Sequence, residues 1–223
     1  PFARYWLHNG FITIDDEKMS KAAGNFFTVR DVAARFPYPV IRFFLLSAHY
    51  RMPINYSAEM LSAAQSGLQR ILNCVENLDF AATARRGEPA AADREADTAL
   101  DACRSTCRER FVEALEDDLN TADALAAVFE LVRAANTALA DAPVGVPALE
   151  AAAGTIRELC GVLGIGLDAE GGDVPAEILR LVEERAAAKK SRDFARADEL
   201  RERVRALGFT IEDTPQGAKV GRV

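Results

Sequence analysis

Apolar residues recur every three or four positions along most of this chain, and that period restricts the fold more than any other feature. Leu61, Ala64, Leu68, Ile71, Leu72, Val75 and Leu78 fall on one face of a helix that Ser57 is placed to cap. Such a stripe must be buried against another element, so a succession of them implies helix packed on helix. Ala96, Leu100, Cys103, Cys107, Phe111 and Ala114 make a second stripe, and Leu125, Phe129, Val132, Asn136 and Leu139 a third. The period predicts helices over about 93–116, 121–140 and 147–163, which join the first in an antiparallel four-helix bundle with short connections. Residues 81–92, AATARRGEPAAA, lack a period and read as a loop.

The ends of the chain depart from this pattern. FARYWLHNG reads as the last turns of a helix stopped at Asn9-Gly10, followed by FITI as a short strand and DDE as a turn. Thr28 is placed to cap VRDVAARF, and Pro37 and Pro39 break that helix before VIRFFLLSAHY. In DDLNT, Asn120 or Thr121 would cap the third bundle helix, with Asp117 and Asp118 near its positive end. GIGLDAEGGDVPA, residues 164–176, is the clearest linker. Beyond it the pattern predicts a helix over about 176–190 and another from Asp193 to Leu207 that buries Phe194, Ala197, Leu200, Val204 and Leu207. FTIED, TPQG and AKVGRV then read as a small hairpin.

Composition narrows the function classes. The chain is 49% hydrophobic and 27% charged, enough to bury a core and stay dissolved. No apolar run approaches the ~18 residues of a membrane span, and Arg42 interrupts the greasiest stretch. Cys103 and Cys107 lie on an apolar stripe, Cys74 and Cys160 are scattered, and the only histidines, His8 and His49, are distant in sequence. A zinc site needs about four clustered ligands, so the thiols read as core packing in a reducing cytoplasm and no metal ligands are assigned. The net charge of −7 is uneven: residues 1–53 carry +3, residues 54–175 carry −12 and residues 176–223 carry +2. Contacts with a polyanion therefore belong at the ends, while the acidic middle is explained as a solvated helical surface.

Lysine is scarce, five among 27 basic residues, yet Lys18 and Lys21 both fall within FITIDDEKMSKAAGNFFTV. A loop with lysines, a small hydroxyl residue and a glycine suits polyphosphate, because a Lys ammonium is a compact, mobile point charge whereas Arg is a rigid fork. A positioned cation would stabilise charge growing on a departing pyrophosphate. An ordinary surface loop of this composition is the alternative.

KMSKAAGNF resembles the KMSKS signature of class I aminoacyl-tRNA synthetases in the form KMSKSxGNF. FARYWLHNGFITIDDEKMSK, FFTVRDV, RFFLLSAHYRMPINYS, DDLNTADALAAVFELVR and DFARADELRERVRALGFTIEDTPQG resemble bacterial cysteinyl-tRNA synthetases in the same order, over essentially the whole chain. The resemblance implies a mainly α chain in three parts. Residues 1–55 would be the tail of a Rossmann-type catalytic domain with the signature loop and connecting helices. Residues 56–165 would be the helical bundle called the DALR domain, and 166–223 a small α+β domain with a two-stranded hairpin that reads the anticodon. Matched by position, Lys21 is the signature's second lysine, which contacts ATP in the family, and Lys18, Met19 and Ser20 complete the loop that closes over the nucleotide. Ala22 stands where the family usually has Ser, so one hydroxyl hydrogen bond near the phosphates is missing.

The implied activity is that of a cysteine–tRNA ligase, with ATP and Mg as substrate pair and tRNA(Cys) and cysteine as partners, in a cytoplasmic monomer free of membrane. The chain begins with Pro1 rather than Met, which leads to the expectation of a C-terminal fragment, inactive alone. The family's HIGH signature, zinc ligands and cysteine pocket would then lie upstream. Near the C-terminus Lys189, Lys190, Arg192 and Arg196 cluster at a helix junction and would hold a tRNA phosphate backbone. Asp198, Glu199 and Glu202 lie among them, so a salt-bridged helix is the competing account. Phe209 and Gln216 are candidates for reading unstacked bases. Alternatives for the whole are a ligase joining cysteine to a glucosaminyl-inositol, which shares only the catalytic part, and a stand-alone tRNA-binding module.

Overall fold

The computed structural model of the chain describes residues 2–14, 17–20, 26–86, 94–141, 144–167, 175–214 and 217–222. It divides into two units, Pro1–Leu167 and Asp168–Val223.

In the first unit, β1 (Ile12–Ile14) forms the centre of a three-stranded sheet. It pairs antiparallel with the short β2 (Glu17–Lys18), Thr13 opposite Lys18. α1 (Val29–Ala33) starts at a capping box: Thr28 Oγ1 accepts the Asp31 amide, and Asp31 accepts the Thr28 amide at 2.7 Å. α2 (Tyr38–Leu46) carries Pro39 in its first turn, where the missing donor is harmless. The third strand, β3 (Ile54–Tyr56), runs parallel to β1 and leads into α3 (Ala58–Ala84), which Ser57 caps by accepting the Met60 amide at 3.1 Å. α4 (Arg94–Glu116), α5 (Thr121–Asp141) and α6 (Val146–Val162) complete the bundle. α3 packs on α5 and α6, and α4 packs on the same two helices. Val40, Ile41, Phe43 and Phe44 of α2 are buried in the same continuous core as the bundle stripes, with Phe43 edge-on to Phe129.

The stripes on α3 and α4 are buried as their period predicts, including Leu61, Ile71 and Leu78 on α3 and Leu100, Cys107 and Phe111 on α4. Burial pushes the thiols of Cys74, Cys107 and Cys160 up to about 12, so all three behave as small apolar groups. Among the described residues no group of three or more His, Cys, Asp or Glu side chains could hold a metal, and no helix is long and apolar enough to cross a membrane.

Several expectations are corrected. α3 continues to Ala84, because Ala81 and Ala82 are buried and alanine is the strongest helix former, so the loop reading of 81–84 fails; residues 87–93 lie outside the described residues. Asn136 is exposed, and Ala124, Ala127, Val128, Leu131 and Ala135 fill the buried face of α5 instead. In a stripe drawn from large residues, alanines pass unnoticed. Residues 2–11 are not helical. Phe2, Tyr5 and Trp6 are exposed, and so short a helix is unstable without packing.

Gly10 therefore ends no helix. Its amide donates to the Tyr50 carbonyl at 2.7 Å, and a Cβ there would collide with the Met52 carbonyl. A second glycine closes α6: Gly164, at φ +66°, lets the Ile165 amide reach the Cys160 carbonyl at 2.9 Å, a Schellman end. Arg42, the charge that interrupts the apolar run, lies against this terminus with Nη1 3.5 Å from the Leu163 carbonyl.

In the second unit, α7 (Ala176–Lys190) and α8 (Phe194–Ala206) pack together against an antiparallel hairpin of β4 (Phe209–Thr214) and β5 (Gly217–Arg222). Its core is Ile178, Leu181, Leu200, Val204, Phe209 and Ile211. Phe194 and Leu207, expected inside, are 63% and 47% exposed. They flank the buried run of Ala197, Leu200 and Val204 at either end of α8.

Gly10→Ala should destabilise the first unit by ~1–3 kcal/mol, the usual range for forced overpacking, because the new methyl meets backbone that no rotamer change can move. Urea unfolding followed by circular dichroism reads this; a loss below the error of the fit would mean that the segment docks loosely.

Candidate functional site

The lysine loop hangs between two rigid anchors. On its N-terminal side Lys18 is in β2, paired through the backbone with Thr13, and the Met19 amide reaches the Ile12 carbonyl at 3.4 Å. Met19 and Ser20 are half-buried. On the C-terminal side the Phe27 ring lies 4.2 Å from that of Tyr56, and the capping box fixes Thr28. Tyr56 in turn meets Phe44 of α2 edge-on at 6.4 Å. The sheet and the bundle core thus hold both ends of the segment. Lys21 and Ala22 lie outside the described residues, as does the side chain of Lys18.

β1 and β3 are joined by more than their ladder. Thr13 Oγ1 lies 3.4 Å from the Ile54 carbonyl, and the Ile54 amide donates to the Phe11 carbonyl at 3.0 Å. The turn preceding β3 is fastened to the turn between α4 and α5. Tyr50 Oη donates to Asp118 Oδ1 at 2.8 Å, and Arg51 Nη2 lies 2.7 Å from Asp118 Oδ2. His49 stacks on Tyr50 and places Nε2 3.6 Å from the same carboxylate. Capping of α5 is left to Asn120, which accepts the Asp123 amide at 3.2 Å. Asp118 and Leu119 both adopt left-handed backbone, φ 59° and 56°, a conformation that costs ~1–2 kcal/mol per non-glycine residue. DDLNT is thus a cap and a tertiary contact together. The sequence carries no local sign of the second role.

In the second unit the basic cluster is divided by its partners. Arg185, 5% exposed, forms a two-pronged bond to Asp213 of β4, 2.8 Å on each side, and Lys189 Nζ adds a third at 2.8 Å. Hydrogen bonds from Arg185 and then Lys189 hold the Asp213 carboxyl far below its usual range. Arg196 is bonded to Glu199 at 2.6 Å and lies 3.9 Å from Glu184. Among the described residues Lys190 and Arg192 make no ion pair, and Arg192 sits at φ 62° in the turn between α7 and α8. Sequence reasoning missed Arg185, although its position gives a signal: Ile178, Leu181, Arg185 and Ala188 follow one helical stripe. An arginine on an apolar face needs a carboxylate partner. Phe209, a candidate for reading bases, is buried in the core, and Gln216 lies outside the described residues.

Three family profiles match in succession: the class I (C) tRNA synthetase catalytic domain over residues 1–66, the DALR domain over 110–168, and the cysteinyl-tRNA ligase anticodon binding domain over 171–220. Cysteine–tRNA ligase from Caldicellulosiruptor saccharolyticus is 43% identical over 225 residues, covering 100% of this chain and 47% of its own length. The Halorhodospira halophila enzyme is 47% identical over 226 residues, covering 98% and 45%. The chain belongs to the cysteine–tRNA ligase family. It spans about half the length of the curated relatives it matches. A LeuRS chain from a LeuRS–tRNA–LeuAMS complex of Agrobacterium radiobacter superposes with a TM-score of 0.55 at 20% identity, over 70% of this chain and 22% of that one. That likeness concerns the fold alone. The DALR match begins inside α4, so the profile covers the later part of the bundle.

The Arg185–Asp213 bond sets an acid limit for the second unit. A carboxyl whose folded pKa lies below its free value of about 3.9 contributes fully above that value and is lost as pH falls below it. The protection factors of β4 and β5 amides, taken relative to their intrinsic exchange at each pH, should accordingly fall below about pH 4, while α8 amides far from Asp213 respond less. Asp213→Asn should remove the acid step and cost ~2 kcal/mol at neutral pH, less than for a fully buried pair because water reaches the carboxylate. An unchanged exchange profile in this variant would show that the pair does not hold the hairpin.

Proposed function

We propose that this chain is the part of a cysteine–tRNA ligase that supplies the signature ATP loop, the DALR bundle and the tRNA-binding domain. The complete enzyme activates cysteine with ATP and transfers it to tRNA(Cys). Residues 1–55, 56–165 and 166–223 carry the three roles. The observation that carries this reading is the ordered succession of catalytic, DALR and cysteinyl anticodon-binding profiles along one chain. The third profile favours the tRNA ligase over a glucosaminyl-inositol ligase, whose likeness is confined to the catalytic part.

Lys21 and Lys18 act on the phosphates, with Met19 and Ser20 shaping the closing loop. Charge develops on pyrophosphate as the adenylate forms, and an ammonium held by a fixed frame stabilises it without reorganising solvent. The frame is the sheet on one side and the Phe27–Tyr56 contact on the other. Mg accompanies ATP as its counter-ion. Zinc finds no donor set among the described residues, and no step of this proposal passes through it.

For RNA, the four-residue cluster of Lys189, Lys190, Arg192 and Arg196 contributes unequally. Arg196 is neutralised by Glu199 with Glu184, and Lys189 is held against the Asp213 carboxylate that it shares with Arg185, so Lys190 and Arg192, free of such bonds among the described residues, supply most of the phosphate contact. Phe194, exposed at the start of α8, can offer a ring face to an unstacked base, which buried Phe209 cannot.

Two measurements test these assignments. In a complete ligase carrying this sequence, Lys21→Ala should lower kcat and kcat/KM for cysteine-dependent pyrophosphate exchange together by ~10²-fold; unchanged exchange would remove the phosphate role. For tRNA binding titrated against salt, neutralising two phosphates gives a log–log slope of about −2. Lys190→Glu with Arg192→Glu should flatten that slope and weaken all tRNAs alike, since backbone contacts carry no sequence information. Equal slopes for both proteins would leave the turn as a solvated helix junction.

A further inference from the structure

We propose that Asp118 is a positioning residue for the lysine loop, holding from the bundle side the strands that carry Lys18. This inference rests on the ATP-loop reading for its catalytic consequence, though not for its structural part.

Residue 118 is an odd choice for its backbone conformation. The turn from α4 to α5 closes through two backbone bonds, Leu119 amide to Leu115 carbonyl at 3.1 Å and Asn120 amide to Ala114 carbonyl at 2.9 Å. This geometry sets residue 118 in the left-handed region, where glycine would be relaxed and aspartate is tolerated at a greater cost. A turn selected for connection alone would gain from glycine there. The side chain has a use that offsets the strain: one carboxylate oxygen accepts the Tyr50 hydroxyl, the other faces Arg51 and His49. Arg51 Nε also donates to Tyr50 Oη at 3.1 Å, so the phenol is fixed from both sides.

From Tyr50 the connection runs through backbone alone. Its carbonyl accepts the Gly10 amide, and Gly10 sits too close to Met52 for any larger residue. Two residues on, β1 lies parallel to β3 in the register Ile12–Ile54, Thr13–Asn55 and Ile14–Tyr56, and across β1 Thr13 pairs with Lys18. Movement of the 49–52 turn would therefore be felt at Lys18 through two ladders. The Arg51–Asp118 ion pair, with Arg51 64% exposed, is too wet to hold the turn by charge alone. The Tyr50 bond is the more protected element, and it needs an acceptor rather than a charge.

That distinction shapes the test. Asp118→Gly relaxes the turn and removes the acceptor, so a loss of order in this variant cannot be blamed on backbone strain. Asp118→Asn keeps an acceptor for Tyr50 and tolerates the left-handed conformation. By amide hydrogen exchange on the full chain, Asp118→Gly should speed exchange of Gly10, Ile54 and the β1–β2 amides roughly tenfold while α6 amides stay unchanged, and Asp118→Asn should restore most of the protection. Unchanged exchange in β1 and β2, or equal acceleration throughout the bundle, would overturn the proposal. In the complete ligase Asp118→Gly should lower kcat for pyrophosphate exchange several-fold with KM for cysteine unchanged, and Asp118→Asn should recover it. Faster exchange in the strands with kcat unaltered would overturn the step from clamp to loop. If Lys21→Ala were inert while Asp118→Gly still loosened the strands, the ATP-loop reading would fall and the clamp itself would stand.

Discussion

Burial of one face of α3 is the contact on which the first unit depends. Leu61, Leu68, Ile71, Val75 and Leu78 are each at most 4% exposed, and each such side chain contributes ~1.5–3 kcal/mol of transfer free energy. α2, α5 and α6 all pack on this helix. Ser57, its cap, directly follows β3, so the direction of α3 also sets the direction of the sheet. A loop with the nucleotide-holding role proposed above would gain most from such a mount.

The polar contacts add register rather than bulk stability. Arg86–Glu150 and Arg108–Glu158 join bundle segments, but their side chains are about half exposed, and such pairs contribute little. Arg185 differs because its guanidinium is almost wholly removed from water, and its Nε has no hydrogen-bond partner among the described residues. Such a group is stable only while Asp213 stays in place, which ties α7 to β4 more specifically than apolar contacts could. Asp118 joins segments 68 residues apart in the same manner.

Charge distribution follows a related logic. Carboxylates outnumber cations in the bundle, and many of its arginines are engaged locally, as in the Arg104–Asp101 and Arg110–Glu130 pairs. An acidic bundle repels a phosphate backbone, so the RNA contact proposed above falls near the C-terminal end of the chain, where Lys190 and Arg192 make no ion pair among the described residues.

The helices were legible in the sequence because their period is local. Seven positions on α3 state which face is buried without reference to any partner, and the capping signals at Thr28, Ser57 and Asn120 act within three residues. The family likeness was legible for a similar reason, since its motifs are short and ordered. Some errors came where small or aromatic residues blur a stripe, as with Ala135 beside Asn136 or Phe194 at the edge of α8. Others came where a feature takes its meaning from distant chain. Gly10 looks like a helix stop until Met52 is set against it, and Asp118 like a capping charge until Tyr50 arrives. Lys189 and Arg192 are equal cations in the sequence, and only the hairpin, which brings Asp213 to Lys189 and Arg185, makes them differ. Sequence by itself determined the elements and the family, because both are written in short-range spacing. Tertiary structure alone decided which charges are spent and which glycine is irreplaceable, because pairing across 24 to 68 residues names no partner in the local sequence.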